Sequence, residues 1–414
     1  MARIHPFRAW RFAPAAGDPS NLLTQPYDKI SPEMQERYFS LSPYNLAHVI
    51  RGRSLPSDSD ADNVYTRAAA HLNDWIASGI LAREPEPALF AYFQKFQEPE
   101  SSRTYLRKGL IALGEVEDYS RGTVYRHELT HSGPKRDRLE LLRHTRAHFG
   151  QLFMLYDDPL LEVDALLDRA ASGAPLTRLH DEYGAEHSLW PIRDPAEIER
   201  IRLLLAPHKL LIADGHHRYE TAIAFRDENP GLAGAHRVMM TLVNMSSPGL
   251  LILPTHRVVA GLPDFDASRV LSRASEVFQV EELPSLDALR ARLDSAPSGR
   301  VCFGGLFQGH SGCFAFAAGS DGLDVAVLHD VFLARVLGLS PDAVRDERHI
   351  RYIRGFQVAA EQVAASGAQA AFLLRPLQVR QVADVAFAGG VMPQKSTDFY
   401  PKLLSGMTIY RLEE

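Results

Sequence analysis

Cysteine is nearly missing from this chain. Cys302 and Cys313 are its only two thiols, which excludes a disulfide framework and a paired-cysteine zinc site. Their flanks, Val-Cys-Phe-Gly and Gly-Cys-Phe-Ala-Phe, read as neighbouring strands with small, buried, free thiols. Long apolar runs are missing too. Nothing approaches the ~18 to 20 residues of a membrane span, and the opening Met-Ala-Arg-Ile-His-Pro lacks a secretory apolar core, so the expected compartment is the cytoplasm and no membrane partner is expected. An excess of one charge is also absent: 45 Lys and Arg against 51 Asp and Glu give a net charge of −6. That balance sets up no global field for collecting nucleic acid and makes DNA an improbable partner. There is no fixed-period repeat, Rossmann glycine fingerprint, His-Glu-x-x-His or Gly-x-Ser-x-Gly elbow. Solenoid, common NAD, zinc-protease and serine-hydrolase readings lose their support.

What remains is an ordinary folded composition, 45% hydrophobic and 23% charged over 414 residues. That length exceeds what one compact core usually holds, so the expectation is two portions, residues 1–261 and 262–414, with a soft boundary near Leu262. Alternation predicts strands at Leu89 to Phe96 and Tyr105 to Val116, joined as a hairpin, and a second hairpin from Leu176 to Leu179 with Glu186 to Ile192. A helix is predicted from Pro134, a first-turn proline, to a glycine stop at Gly150. The apolar run from Leu250 is interrupted by Pro254 and is expected to end at Thr255-His256-Arg257.

Chemistry is densest from Leu211 to Glu220, Leu-Ile-Ala-Asp-Gly-His-His-Arg-Tyr-Glu. A short interior strand ends at Asp214, and a helix-compatible pattern resumes at Tyr219. Gly215 permits a tight turn, and amides at a helix start favour an anion. Asp214, His216, His217 and Arg218 are therefore the candidate catalytic set, with Gly215 and Glu220 beside a phosphate. The bland alternative is a capping aspartate with solvated neighbours. Adjacent histidines on a helix diverge by roughly 100°, so no metal site is assigned to His216 and His217.

Three further segments could face phosphate. Thr130 to Arg138 gathers Ser132, Lys135 and Arg138 before a helix, or forms a capping turn with a solvated basic face. His256 and Arg257 would stand at the strand end after Leu-Ile-Leu-Pro. Met392 to Thr397 offers Lys395, Ser396 and Thr397, but Gln394 occupies the second glycine position of a P-loop, so that nucleotide signature is rejected. Pro26-Tyr27-Asp28 and Pro43-Tyr44-Asn45 read as structural turns.

Together these words resemble the family called domain of unknown function 1015, labelled ParB-like. The resemblance rests on Pro26-Tyr27-Asp28, Pro43-Tyr44-Asn45, Ser132-Gly133-Pro134-Lys135, Phe149-Gly150-Gln151, Ala213 to Arg218, Leu253 to Arg257, Met392 to Thr397 and Tyr400-Pro401-Lys402-Leu403. The chain departs from the family's Tyr-x-His-Asp at Tyr352 to Gly355, where it carries Arg354-Gly355. The Asp-Gly-His-His-Arg word is also similar to the phosphate-binding turn of the ParB and sulfiredoxin superfamily, in which free-serine kinases carry Asp-Gly-His-Thr-Arg. Sulfiredoxins place a cysteine where this chain has His216, so their thiol chemistry is excluded.

The fold expectation is α+β, a ParB/sulfiredoxin-like mixed core with a second α/β portion. The resemblance implies phosphoryl transfer to or from a small hydroxylated metabolite such as serine or phosphoserine, with ADP or ATP and Mg²⁺ as helpers. The competing implication is a ParB-like nucleotide- or DNA-binding regulator without turnover.

Overall fold

The computed structural model describes residues 1–128, 132–365 and 367–412. Within them the chain forms two compact units, each described by itself. The first comprises Met1–Leu251, Ala386–Gly389 and the segment from Pro401 onward; the second comprises Ile252–Val385 and Gly390–Tyr400. The division falls between Leu251 and Ile252, inside the apolar run that Pro254 interrupts, rather than near Leu262. The last stretch returns to the first unit instead of staying with the second.

The structure is a mixed one of helices and several sheets, as expected. The first unit is built on a nine-stranded mixed sheet whose path runs Val124–Tyr125, Leu210–Asp214, Leu152–Tyr156, Arg237–Asn244, Thr104–Glu115, Leu89–Gln97, Glu186–Ile192 and Thr177–His180, with Ile4–His5 beside Thr104–Glu115. Both expected hairpins are present, Phe90 opposite Ile111 and His187 opposite Leu179. One face packs on helices Glu162–Ala170, Pro195–Leu205 and His216–Glu228 through Leu152, Met154, Ile212, Leu166, Ile201, Leu205, Tyr219 and Ala222. Alternate residues of each strand supply that face, as period-2 patterning requires.

The second unit is a six-stranded antiparallel sheet in the order Gln279–Leu283, Cys313–Asp321, Arg300–Phe307, Ala370–Leu373, Thr255–Val259, Ile350–Arg354. Phe303, Phe316, Phe332 and Phe372 meet at its core in edge and stacked contacts, geometries that the ring quadrupole favours. Cys302 and Cys313 are buried and free, on adjoining strands.

Two boundaries differ from the sequence expectation. The helix from the Ser-Gly-Pro word spans Ser132–Thr145, not Pro134 to Gly150. Arg146 turns left-handed at φ 47°, and Ala147–His148 then pairs with Tyr410–Arg411. A glycine stop was the wrong signal, because the pairing strand comes from the other end of the sequence. The strand beyond Pro254 does not end at Thr255-His256-Arg257 but runs on to Val259, and Pro254 interrupts the run as expected. It separates Leu251–Leu253 from Thr255–Val259, which is compatible with proline's confinement to strand starts and breaks.

Candidate functional site

The strand Leu210–Asp214 delivers Asp214 to its carboxyl end, where the register against Phe153 shifts between Ile212 and Asp214. Gly215 makes the turn at φ 101°. A Cβ there would sit 3.0 Å from Leu152 Cδ2 and 3.1 Å from Arg218 Cζ, so both conformation and space call for glycine. The helix His216–Glu228 follows at once. Gly215 has no side chain with which to cap it, leaving the positive end of the helix dipole to the site.

Asp214 is crowded by cations. Arg218 Nη2 lies 3.5 Å and Lys402 Nζ 3.9 Å from Asp214 Oδ2. Burial pushes the Asp214 carboxyl up, but Lys402, then Arg218, then Lys29 outweigh it and hold the group well below the usual carboxylate range. Three cations therefore act on one carboxylate. Arg218 is fixed at its other edge, where Nη1 donates to the carbonyl of Gln151.

His216 is buried, and burial first, then the neighbouring His127, keeps its imidazole far below 6.5 and hence neutral. His216 Nε2 has no hydrogen-bond partner. His127, fully buried, donates from Nδ1 to the carbonyl of Ile212 at 2.8 Å, and its ring stands 4.7 Å from that of His216 at 78°. Burial pushes His127 down to about 4. His217, the next residue along the helix, is half-buried.

The remaining sequence candidates divide sharply. Glu220 does not face phosphate by itself: it accepts from Arg126 Nη1 at 3.2 Å and pairs with Lys135. Lys135 thus arrives with its charge balanced. Arg138 lies 4.0 Å over the ring of Tyr27 and donates to the carbonyl of Ile50 at 2.9 Å. Thr130 and His131, along with the side chain of Ser132, lie outside the described residues.

His256 and Arg257 are not at a strand end. They sit inside the buried strand Thr255–Val259 of the second unit, where His256 Nδ1 accepts from the amide of Leu374 and Arg257 donates to His329 Nε2 and to the carbonyls of Gln394 and Lys395. Buried within the second unit, they do not stand at a strand end as expected, and His256 Nε2 has no hydrogen-bond partner. Lys395, Ser396 and Thr397 belong to the same unit. Lys395 adopts a left-handed φ of 56°, and Ser396 donates to the carbonyl of Pro393. The departing Arg354 pairs with Asp398 within that unit.

Four residues near Asp214 went unassigned in the sequence. Lys402, in the Tyr-Pro-Lys-Leu word, supplies a cation from the far end of the chain. Tyr27 comes from the Pro-Tyr-Asp word that reads as a mere turn, and Lys29 directly follows it. His127 follows the edge strand Val124–Tyr125, which runs parallel to Leu210–Asp214. The signal available for Lys402 and Tyr27 was their place in distinctive words, for Lys29 only its place next to one, and for His127 there was none. Tyr27, Arg138, Phe149, Gly150, Arg218 and Ser405 line one cleft of the first unit.

Among the described residues no group of three or more histidine, cysteine, aspartate or glutamate side chains could hold a metal ion. Three cations around Asp214 also oppose a divalent ion at that carboxylate, so the residues fit Mg²⁺ poorly. No helix of the described residues is long and apolar enough to cross a membrane.

No curated protein sequence matches the chain. Several solved structures are similar. A free serine kinase in complex with AMP has 15% identity, a TM-score of 0.37, and coverage of 67% of this chain and 83% of its own. A conserved hypothetical protein from Pyrococcus furiosus has 14% identity, a TM-score of 0.38, and coverage of 73% and 96%. SbnI with C-terminal truncation from Staphylococcus aureus has 9% identity, a TM-score of 0.35, and coverage of 71% and 85%. The profile described as Protein of unknown function (DUF1015) matches residues 4–326, and the chain belongs to that family.

Proposed function

We propose that this protein transfers a phosphoryl group to or from the hydroxyl of a small metabolite, serine and phosphoserine being the first pair to assay. One observation carries the reading: Asp214 stands at an uncapped helix start with Lys402, Arg218 and Lys29 acting on it together. Cations converging on a helix start, with its amides at hand, suit an anion. Phosphoryl transfer relies chiefly on such positioning and charge stabilisation.

The substrate hydroxyl oxygen attacks phosphorus as the bond to the donor oxygen breaks, and that bond's electron pair leaves with the donor. The hydroxyl proton passes to Asp214. A carboxylate held so far below its ordinary range is a weak base, so Asp214 chiefly orients the hydroxyl and takes its proton late. Arg218 and Lys402 face the negative phosphoryl oxygens. His216, neutral and uncommitted at Nε2, can hydrogen-bond without adding charge. The donor this reading expects is ATP or ADP with its own Mg²⁺, and no step is routed through the metal.

The test is ³¹P NMR of the full chain with serine plus ATP or ADP, and in reverse with phosphoserine plus ADP or AMP respectively, both with Mg²⁺. A new phosphate ester resonance is expected forward and loss of the phosphoserine resonance in reverse, both abolished in Asp214→Asn while that variant still unfolds cooperatively. If nothing turns over, yet nucleotide or duplex DNA binds with a steep salt dependence, a ParB-like regulator replaces the enzyme.

A further inference from the structure

The phosphoryl chemistry leaves unused a buried polar row on the other face of the nine-stranded sheet. Leu89, Ala91 and Phe93 turn to the helices, so Tyr92 and Gln94 of the same strand turn away from them. Arg107 and His187 stand directly opposite Gln94 on the two flanking strands, and all four side chains are buried. A guanidinium kept from water is costly, and burial draws Arg107 down to about 9, which leaves it charged at neutral pH. An apolar side chain would fill that space at lower cost.

Hydrogen bonds join this row in one consistent direction. Burial raises the Asp181 carboxyl, but His187 and the amides of Ala185 and Tyr183 outweigh it, so it is ionised and can only accept. His187 Nε2 therefore donates to Asp181 Oδ2 at 3.2 Å. Burial also keeps the His187 imidazole below its ordinary value and neutral, which leaves Nδ1 to accept from Tyr92 Oη at 2.7 Å. Tyr92 Oη in turn accepts from the amide of Leu404 at 3.4 Å. Gln94 Oε1 accepts from Arg107 Nε at 2.9 Å, which turns Gln94 Nε2 to the carbonyl of Lys402, also at 2.9 Å. Arg107 Nη2 donates to the carbonyl of Pro401. Residues 401–404 lie in no helix or strand, so these three side chains supply the hold that a ladder gives elsewhere.

We infer that Gln94 and Arg107, aligned through His187 and Asp181, are positioning residues: they fix the backbone at Pro401 and Lys402 and so keep the Lys402 ammonium against Asp214. The cations that chiefly bear on Asp214 are Lys402, Arg218 and Lys29, not Arg107. A change in the row therefore reaches that carboxyl through Lys402. The inference rests on the proposed working site at Asp214, but a titration reads it without substrate.

The test follows the Asp214 carboxyl by carbon-detected NMR in the full chain carrying Gln94→Met, Lys402→Met, or both. Gln94→Met keeps the bulk and removes both the donor to Lys402 and the acceptor of Arg107. It is expected to raise the pH at which Asp214 titrates by at least half the rise seen in Lys402→Met. The double variant is expected to match Lys402→Met alone, because both changes act through one ammonium. Should Gln94→Met fail to fold, Tyr92→Phe removes only the hydroxyl that holds Leu404. It is expected to move Asp214 in the same direction and to add nothing once Lys402 is replaced. An Asp214 titration unmoved by Lys402→Met or by the variant of the row, or moved equally with and without Lys402, overturns the positioning role. A shift that requires Lys402, in a protein that transfers no phosphoryl group, keeps the positioning role and discards the proposed reaction.

Discussion

Lys402 bears on Asp214 at 3.9 Å with only a tenth of its side chain exposed, which makes it the most economical point at which to probe the charge balance of the site. Lys402→Met keeps the length and apolar stem and removes the charge. The Asp214 carboxyl, with its largest downward influence gone, should then titrate at higher pH in a carbon-detected NMR experiment. Turnover should fall by roughly 10- to 100-fold, the scale of losing one well-placed electrostatic partner. An unmoved Asp214 titration would place Lys402 outside the site. A second residue-scale prediction concerns His127. Unfolded, its imidazole takes a proton near 6.5; folded, burial holds it down to about 4. Between those values the unfolded chain binds the extra proton, so stability declines as pH falls from about 6.5 to about 4 and is level outside that window. The ceiling on this loss is ~3 kcal/mol. His127→Asn, whose amide can still donate to Ile212, should flatten that portion of a stability profile measured by denaturant unfolding at stepped pH. An unchanged slope would show that His127 is not held neutral.

At the scale of elements, the strand-to-helix turn at Gly215 couples conformation to function. Gly215→Ala forces a left-handed φ on a residue with a Cβ and presses that carbon against Leu152 and Arg218. A loss of about 1 to 3 kcal/mol in thermal or denaturant unfolding is expected, with turnover falling further than stability because Arg218 is displaced. If activity per folded molecule is retained, the turn serves only the fold. This element was legible in the sequence because everything that defines it is local: an apolar run, an acid, a glycine, then helical spacing. The hairpins Leu89–Gln97 with Thr104–Glu115, and Thr177–His180 with Glu186–Ile192, were legible for the same reason. His256 and Arg257 show the limit of such reading. A polar pair after Leu-Ile-Leu-Pro looks like a strand end, but strands Ala370–Leu373 and Ile350–Arg354 arrive from over ninety residues downstream to flank and bury it. The helix Ser132–Thr145 ends where it does for a like cause, since its following strand pairs with Tyr410–Arg411. Tyr27, Lys29 and Lys402 escaped assignment because each reaches the site through pairings between distant segments, which no local pattern encodes.

Across the whole molecule, the segment from Pro401 onward is as much a part of the first unit as any central strand. Thr24 bridges Ser405, Trp10 bridges Ile409, and Tyr410–Arg411 pairs with Ala147–His148. Gly234 has no room for a Cβ because the backbone of Leu412 lies against it. Leu403, Leu404, Met407, Ile409 and Leu412 are all buried. At about 1.5 to 3 kcal/mol for each buried apolar side chain, an upper bound, the segment contributes on the order of 8 to 15 kcal/mol. That is comparable with the entire net stability of a typical domain, about 5 to 15 kcal/mol. Deleting everything from Pro401 should therefore unfold the first unit, not merely subtract Lys402 from it. Hydrogen exchange of the shortened chain should show lost protection at Trp10–Phe12, Ala147–His148 and Leu210–Asp214, while Arg300–Phe307 and Ala370–Leu373 of the second unit keep theirs. Lys402→Met, measured alongside, should leave protection at all five segments intact, separating the loss of a charge from the loss of a scaffold. Retained protection at Ala147–His148 in the shortened chain would mean that the first unit holds its site without its last segment, and that the cation at position 402 is an addition to a complete fold.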